Sequence, residues 1–143
     1  SRPTKEGSMA VNSVLFVCVS NAGRSQMAAG FLTQLSGGSI AVESAGTEPA
    51  DALNPAVIAA MLEEGIDLRD EEPKAVSPDL LWQVDKVITL GVDLRPLSGG
   101  VRFDDWDLPE SGGLQLAELR PIRDAIKGRV LTLLAEFNAP AAA

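Results

Sequence analysis

The chain has no histidine and no tyrosine, a single cysteine, and only 4% aromatic residues. Without histidine, no imidazole within it serves as acid, base or metal ligand. No metal site is expected. One cysteine in 143 residues allows no internal disulfide, so a disulfide-stapled scaffold is excluded. Cations are scarce: 12 Lys and Arg face 20 Asp and Glu, giving a net charge of -8. A nucleic-acid partner is therefore not expected, because a phosphate backbone needs a basic face. A small anion is still admissible, since one loop can be positive on a negative protein. No apolar run reaches the roughly 18 residues of a membrane span, and no membrane partner is expected. The stretch 1–12 is polar, lacks the apolar core of a signal peptide, and is expected to be a flexible leader. Cytoplasm is the expected location.

What is present points to a folded enzyme-sized unit. Hydrophobic residues make up 45%, too many for a disordered acidic segment. The length suits one core. One catalytic domain is expected over 13–137, with a flexible tail over 138–143.

Ser13 to Cys18 is a short apolar run rich in β-branched residues, as in a strand buried on both faces. Met27, Ala28, Phe31, Leu32 and Leu35 then recur at helical spacing until Gly37-Gly38. Ile40 to Ala45 is a second strand candidate. Asn54-Pro55 reads as a helix cap and first position, with Val57, Ile58, Met61 and Leu62 as the apolar stripe and Gly65 as the stop. Ser77-Pro78 repeats that signal for a short helix through Trp82, whose ring is expected in the core. Lys86 to Leu90 and, more weakly, Val101 to Phe103 are further strands. After a polar loop from Asp104 to Gly113, a last helix carries Ile122, Ile126, Val130, Leu133, Leu134 and Phe137, with Pro121 in its first turn. Strands alternating with helices imply right-handed crossovers: an α/β fold in three layers, a parallel sheet with helices on both faces.

Such a sheet binds ligands beyond the carboxyl ends of its strands. Cys18 stands there, and the loop Cys18-Val19-Ser20-Asn21-Ala22-Gly23-Arg24-Ser25 runs straight into a helix. The outward N–H groups and positive dipole of a helix N-terminus suit an anion. Gly23 supplies backbone freedom at the turn. Arg24 offers two parallel donors to one anion. A helix N-terminus and a nearby cation also favour a thiolate, the competent nucleophile. Ser25 is placed to hydrogen-bond the sulfur, and Asn21 to brace the loop. The plain alternative is that a lone cysteine at a strand end is a small buried apolar residue.

Cys-x5-Arg-Ser between a first strand and a first helix resembles the low-molecular-weight protein tyrosine phosphatase superfamily. The longer string Val14 to Ala28 is similar to its arsenate reductase branch. Glu43 to Thr47, Met61 to Asp67, Val84 to Gly91 and Arg120 to Arg123 extend the likeness over about 13–135. The resemblance implies a four-stranded parallel sheet and a cysteinyl–anion intermediate at Cys18. Arg24 would be the clamp, with Val19, Ser20, Asn21, Ala22, Gly23 and Ser25 binding the anion. Two departures stand out. Many relatives have His where this chain has Ser20. Thioredoxin-linked arsenate reductases carry resolving cysteines after the third strand, where this chain reads Leu90-Gly91-Val92-Asp93. The pattern is similar to arsenate–mycothiol transferases. It implies no bound cofactor, mycothiol or another low-molecular-weight thiol as cosubstrate, and a downstream redoxin.

Family members carry an acid just before Pro, some residues after a Trp. Aligned on Trp106 that acid is Glu110, here followed by Ser111; Asp107 and Asp105 are close rivals. Trp106 either walls the pocket or packs the loop onto the core. Gly46-Thr47 and Asn54-Pro55 match family positions but need no role beyond a turn and a cap. The activity expected is transfer of arsenate to a thiol. The alternative is a phosphatase using the same loop, because arsenate and phosphate share shape and charge.

Overall fold

The computed structural model of the protein describes residues 13–138. The expected leader at 1–12 lies outside the described residues, as does the expected tail over 138–143 except Asn138, which closes the last helix. In chain order the elements are β1 (Ser13–Cys18), α1 (Arg24–Leu35), β2 (Ala41–Gly46), α2 (Pro55–Leu62) and α3 (Pro78–Gln83), then β3 (Lys86–Leu90), α4 (Arg95–Ser98), β4 (Asp104–Trp106) and α5 (Leu116–Asn138). The four strands form one sheet in the order β2-β1-β3-β4, and every pairing is parallel. This is the α/β architecture that the alternation of strand and helix signals implied.

Side chains alternate along a strand, so each strand feeds two cores. Val14, Phe16, Ile88 and Leu90 pack with α1, α2 and α5 in the larger cluster. Leu15, Val17 and Val87 pack with Leu81 of α3 and with Leu94 in the smaller one. Burial on both faces explains why β1 and β3 read as unbroken apolar runs. The β1–β2 crossover runs one way across the sheet and the path to β3 returns past β1. The strand order therefore reverses beside β1, which puts Cys18 at the crevice of the sheet.

Two helix starts follow the sequence signals. The Asn54 side chain accepts from Ala56 N at 2.9 Å, and Ser77 Oγ accepts from Leu80 N at 3.1 Å. The last helix starts earlier than expected. Gln115 N donates to the Glu118 carboxylate at 3.0 Å, the reach-back half of a capping box, while Gln115 O accepts from Leu119 N as the first helical bond. Pro121 consequently lies inside the helix, in its second turn and not its first. A clamp ties α5 to α2: Arg120 and Arg123 both bind Glu63, at 2.6 Å each. Hydrogen bonds from Arg120 and then Arg123 hold the Glu63 carboxyl down at about 2, against an ordinary 4.5.

Three other expectations are corrected. The fourth strand is Asp104–Trp106, within the segment read as loop, while Val101 and Phe103 pack half-buried on the smaller cluster. Trp82 is 62% exposed and not core. In α2 the buried face is Val57, Ala60 and Met61, whereas Leu62 is 45% exposed.

Candidate active site

The loop from Cys18 to Gly23 is held by its carbonyls. Cys18 O accepts from Thr47 N, Val19 O from Glu48 N, Ser20 O from Ala50 N and Ala22 O from Asn54 N, at 2.8 to 3.1 Å. Asn21 O accepts from Gln26 Nε2 at 3.1 Å, and Gly23 O from Met27 N at 3.0 Å. A trans peptide points its N–H opposite its C=O. Turning these carbonyls outward turns the amides inward: Asn21 N donates to Cys18 Sγ at 3.2 Å, while Ala22 N is taken by Ser20 Oγ at 3.3 Å. Gly23 caps α1 with no side-chain hydrogen bond, and the first turn carries no acidic residue. The positive end of the helix is left for a ligand anion.

Asn21 sits at φ 53°, a left-handed conformation that Asn tolerates better than most residues. Five hydrogen bonds impose it. Besides its carbonyl, Oδ1 accepts from Lys74 N at 2.8 Å and from Gln26 Nε2 at 3.3 Å. Nδ2 donates to Ser25 Oγ at 2.8 Å, and N donates to Cys18 Sγ at 3.2 Å. Backbone strain held this firmly gathers where a site needs a fixed shape.

Cys18 is buried, with Sγ 2.9 Å from Ser25 Oγ. Since Ser25 Oγ already accepts from Asn21 Nδ2, its own hydrogen is available to the sulfur. Asn21 N and Ser25 Oγ–H are then two donors aimed at a thiolate. Arg24 is 4% exposed. Its Nη1 donates to Leu108 O at 3.3 Å and its Nη2 to Glu110 Oε1 at 3.2 Å. The guanidinium also lies directly against Gly91, which has φ 76° at the end of β3.

The structure brings together Cys18, Val19, Ser20, Asn21, Ala22, Gly23, Arg24 and Ser25. Of the acid-loop carboxylates, Glu110 touches Arg24. Asp107 is exposed, and the contacts to Arg24 come from its neighbours Leu108 and Glu110. Asp105 accepts from buried Thr89 Oγ1 at 2.6 Å, which ties it to β3. Trp106 packs on Phe16, with ring centroids 5.5 Å apart, and so anchors the acid loop to the core. Sequence reasoning missed Gln26, 1% exposed, which buttresses Asn21, and Gly91, which makes room for Arg24. It also missed why Gly46 is glycine: a Cβ there would press on Val19 O and Asn21 N. A glycine directly after a strand was the available signal for Gly91. Among the described residues, no cluster of His, Cys, Asp or Glu is arranged to hold a metal.

The low molecular weight phosphotyrosine protein phosphatase model matches residues 13–142. The glutaredoxin arsenate reductase of Synechocystis is 38% identical over 130 residues, covering 87% of this chain and 98% of its own. The solved thioredoxin-dependent arsenate reductase of Corynebacterium glutamicum superposes with a TM-score of 0.76 at 36% identity. That match covers 93% of this chain, which spans 66% of the longer protein. An arsenate reductase solved in its phosphate-binding state gives 0.77 at 37% identity, covering 88% of this chain and 98% of its own. With the family model spanning 13–142 and relatives of 36–38% identity along most of the chain, this chain belongs to the low molecular weight phosphotyrosine protein phosphatase family.

Proposed function

We propose that this protein is an arsenate reductase that passes arsenic to an external low-molecular-weight thiol. The observation that carries the reading is Cys18: a buried thiol with two donors at its sulfur, under an amide cradle, and the chain's only cysteine. The arsenate reductases to which the chain is similar support arsenate as the substrate.

In this reading arsenate seats in the cradle with two oxygens on Arg24, which releases Glu110 and Leu108 O. The Cys18 thiolate attacks arsenic. One oxygen leaves as water after taking a proton from Glu110, the acid-loop carboxyl nearest the clamp. An As–S bond forms and an As–O bond breaks, with arsenic still pentavalent. A second thiol then displaces Cys18 from arsenic, and Cys18 recovers its proton. Because no other cysteine exists in the chain, that thiol comes from outside; mycothiol fits the requirement. A redoxin thiolate attacks the sulfur of the thiol–arsenate adduct. The S–As electron pair passes to arsenic, so arsenite leaves as a mixed disulfide forms.

The test is turnover with arsenate, mycothiol and its redoxin, set beside thioredoxin and its reductase alone, and beside p-nitrophenyl phosphate. Arsenite is expected only when the small thiol is present, with one thiol consumed per adduct. Steady arsenite with thioredoxin as sole thiol source refutes the external-thiol step. Thiol-independent phosphate release without arsenate activity makes the protein a phosphatase.

A further inference from the structure

A groove of about 610 Å³ opens on one flank of the anion loop, at Ser20, Ala22 and Gly23. Its walls are small: Ala50, Ala52 and Leu53 on one side, Gly112, Gly113 and Leu114 on the other. Hydrogen-bonding groups come from Ser20, Asn54, Ser111 and Gln115. No residue lining it is ionisable and none is aromatic. The flanking residues Asp51 and Glu110 are acidic, on a chain whose net charge is -8.

We propose that this groove seats the thiol cosubstrate and selects an uncharged, hydroxyl-bearing thiol over one that carries carboxylates. The inference rests on the reading of function given above. Three features support it. The groove borders the loop that would hold the arsenic at Ser20, Ala22 and Gly23, so a thiol lying in it is brought to the rim of that loop. Its volume of about 610 Å³ holds a sugar-sized body, and it offers no ring on which an aryl phosphate would stack. Its polar groups match hydroxyls and amides, whereas a carboxylate would lose water without gaining a cation. Glutathione, with two carboxylates, is disfavoured on that ground. Mycothiol, a pseudodisaccharide thiol without carboxylates, is favoured.

The experiment measures kcat/KM for mycothiol, glutathione and glutathione diethyl ester, with arsenate saturating and arsenite release as readout. Mycothiol is expected to exceed glutathione by at least about tenfold, and the diethyl ester to recover at least about fivefold of that deficit. Two variants locate the effect. A Cβ at Gly112 meets no atom within 4 Å, and the residue is outside the left-handed region, so Gly112→Trp fills the groove without straining the fold. It should raise the KM for mycothiol about tenfold or more and leave the KM for arsenate within about twofold. Ala52→Arg supplies a cation and should raise kcat/KM for glutathione by about fivefold or more, a gain that misfolding cannot produce. Equal use of mycothiol and glutathione by the wild type overturns the charge selection. An unchanged mycothiol KM in Gly112→Trp overturns the location. No arsenite with any thiol refutes the functional reading itself, and the groove's assignment with it.

Discussion

Gly91→Ala separates stability from catalysis more sharply than any change inside the loop. Gly91 has φ 76°, and an added Cβ would collide with Arg24 Nη1 while lying 3.2 Å from Cζ and Nη2. The backbone cost is that of one alanine in the left-handed region, about 1–2 kcal/mol. A domain of this size should lose about 4–8 °C in Tm for that amount. The collision adds little to the cost, because the head of a long side chain can retreat. Its consequence is functional. Arg24 is 4% exposed and bonded to Leu108 O and Glu110, so retreat takes the guanidinium off the anion position. Removing one preorganised donor of this kind costs about 10²–10³ in rate, or about 3–4 kcal/mol. The assay is kcat/KM for arsenate with thiol in excess, together with the rise in Tm that sulfate gives the resting enzyme. A folded variant within about threefold of wild-type kcat/KM, still stabilised by sulfate, would refute the claim that glycine is there for Arg24.

Three further outcomes follow from the same contacts. Cys18→Ser should lose turnover to background yet fold and bind sulfate, because the new hydroxyl inherits the contacts to Asn21 N and Ser25 Oγ; residual arsenate turnover ends the nucleophile assignment. Arg24→Lys should fall by about 10²–10³ in kcat/KM, since an ammonium lacks the planar two-donor fork; near-normal efficiency removes Arg24 as the clamp. The Glu63 carboxyl lies at about 2 when folded against 4.5 ordinarily, so the stability it contributes is fully present above 4.5 and is lost as pH falls through about 2. The gap in urea midpoint between wild type and Glu63→Gln should therefore close over that window, and a gap that persists at its lower end contradicts the clamp.

The parts of the fold legible in the sequence are those whose pattern is local. Ser13–Cys18 and Lys86–Leu90 are buried on both faces and announce themselves as apolar runs. Asn54-Pro55 and Ser77-Pro78 carry their caps in adjacent residues. The fourth strand escaped because it is three residues long, with Asp104 and Asp105 exposed and only Trp106 buried. Its membership in the sheet comes from pairing with Ile88, Thr89 and Leu90, a partner remote in sequence. The start of α5 escaped because no Ser, Thr, Asp or Asn stands at its cap; the Glu118 side chain instead reaches back to accept from Gln115 N. At the site the division is the same. Cys18 to Ser25 is contiguous and was read whole. Gly46, Gly91 and Leu108 reach it from three other segments, and nothing near them in sequence names their partner.

An acidic chain holding a doubly charged oxyanion is not a contradiction, because the two charges act over different ranges. Most carboxylates lie on the surface, where salt damps their field within a Debye length of about 8 Å. The cradle acts at hydrogen-bond distance from a buried floor, with amides fixed by carbonyl bonds on their far side and a guanidinium that is 4% exposed. Those donors do not tell arsenic from phosphorus, since both present the same tetrahedron of oxygens. Discrimination in our reading belongs to the step after the adduct forms. A phosphoryl group on Cys18 leaves to water. An arsenyl group also leaves to a thiol, and the new As–S bond then surrenders its electron pair to arsenic when a second thiolate attacks the sulfur. The loop is common to both chemistries, and access for a second sulfur is not. The residues whose exchange should move this enzyme between them are therefore the small ones flanking the loop, Ala50, Ala52, Gly112 and Gly113, and not Cys18 or Arg24.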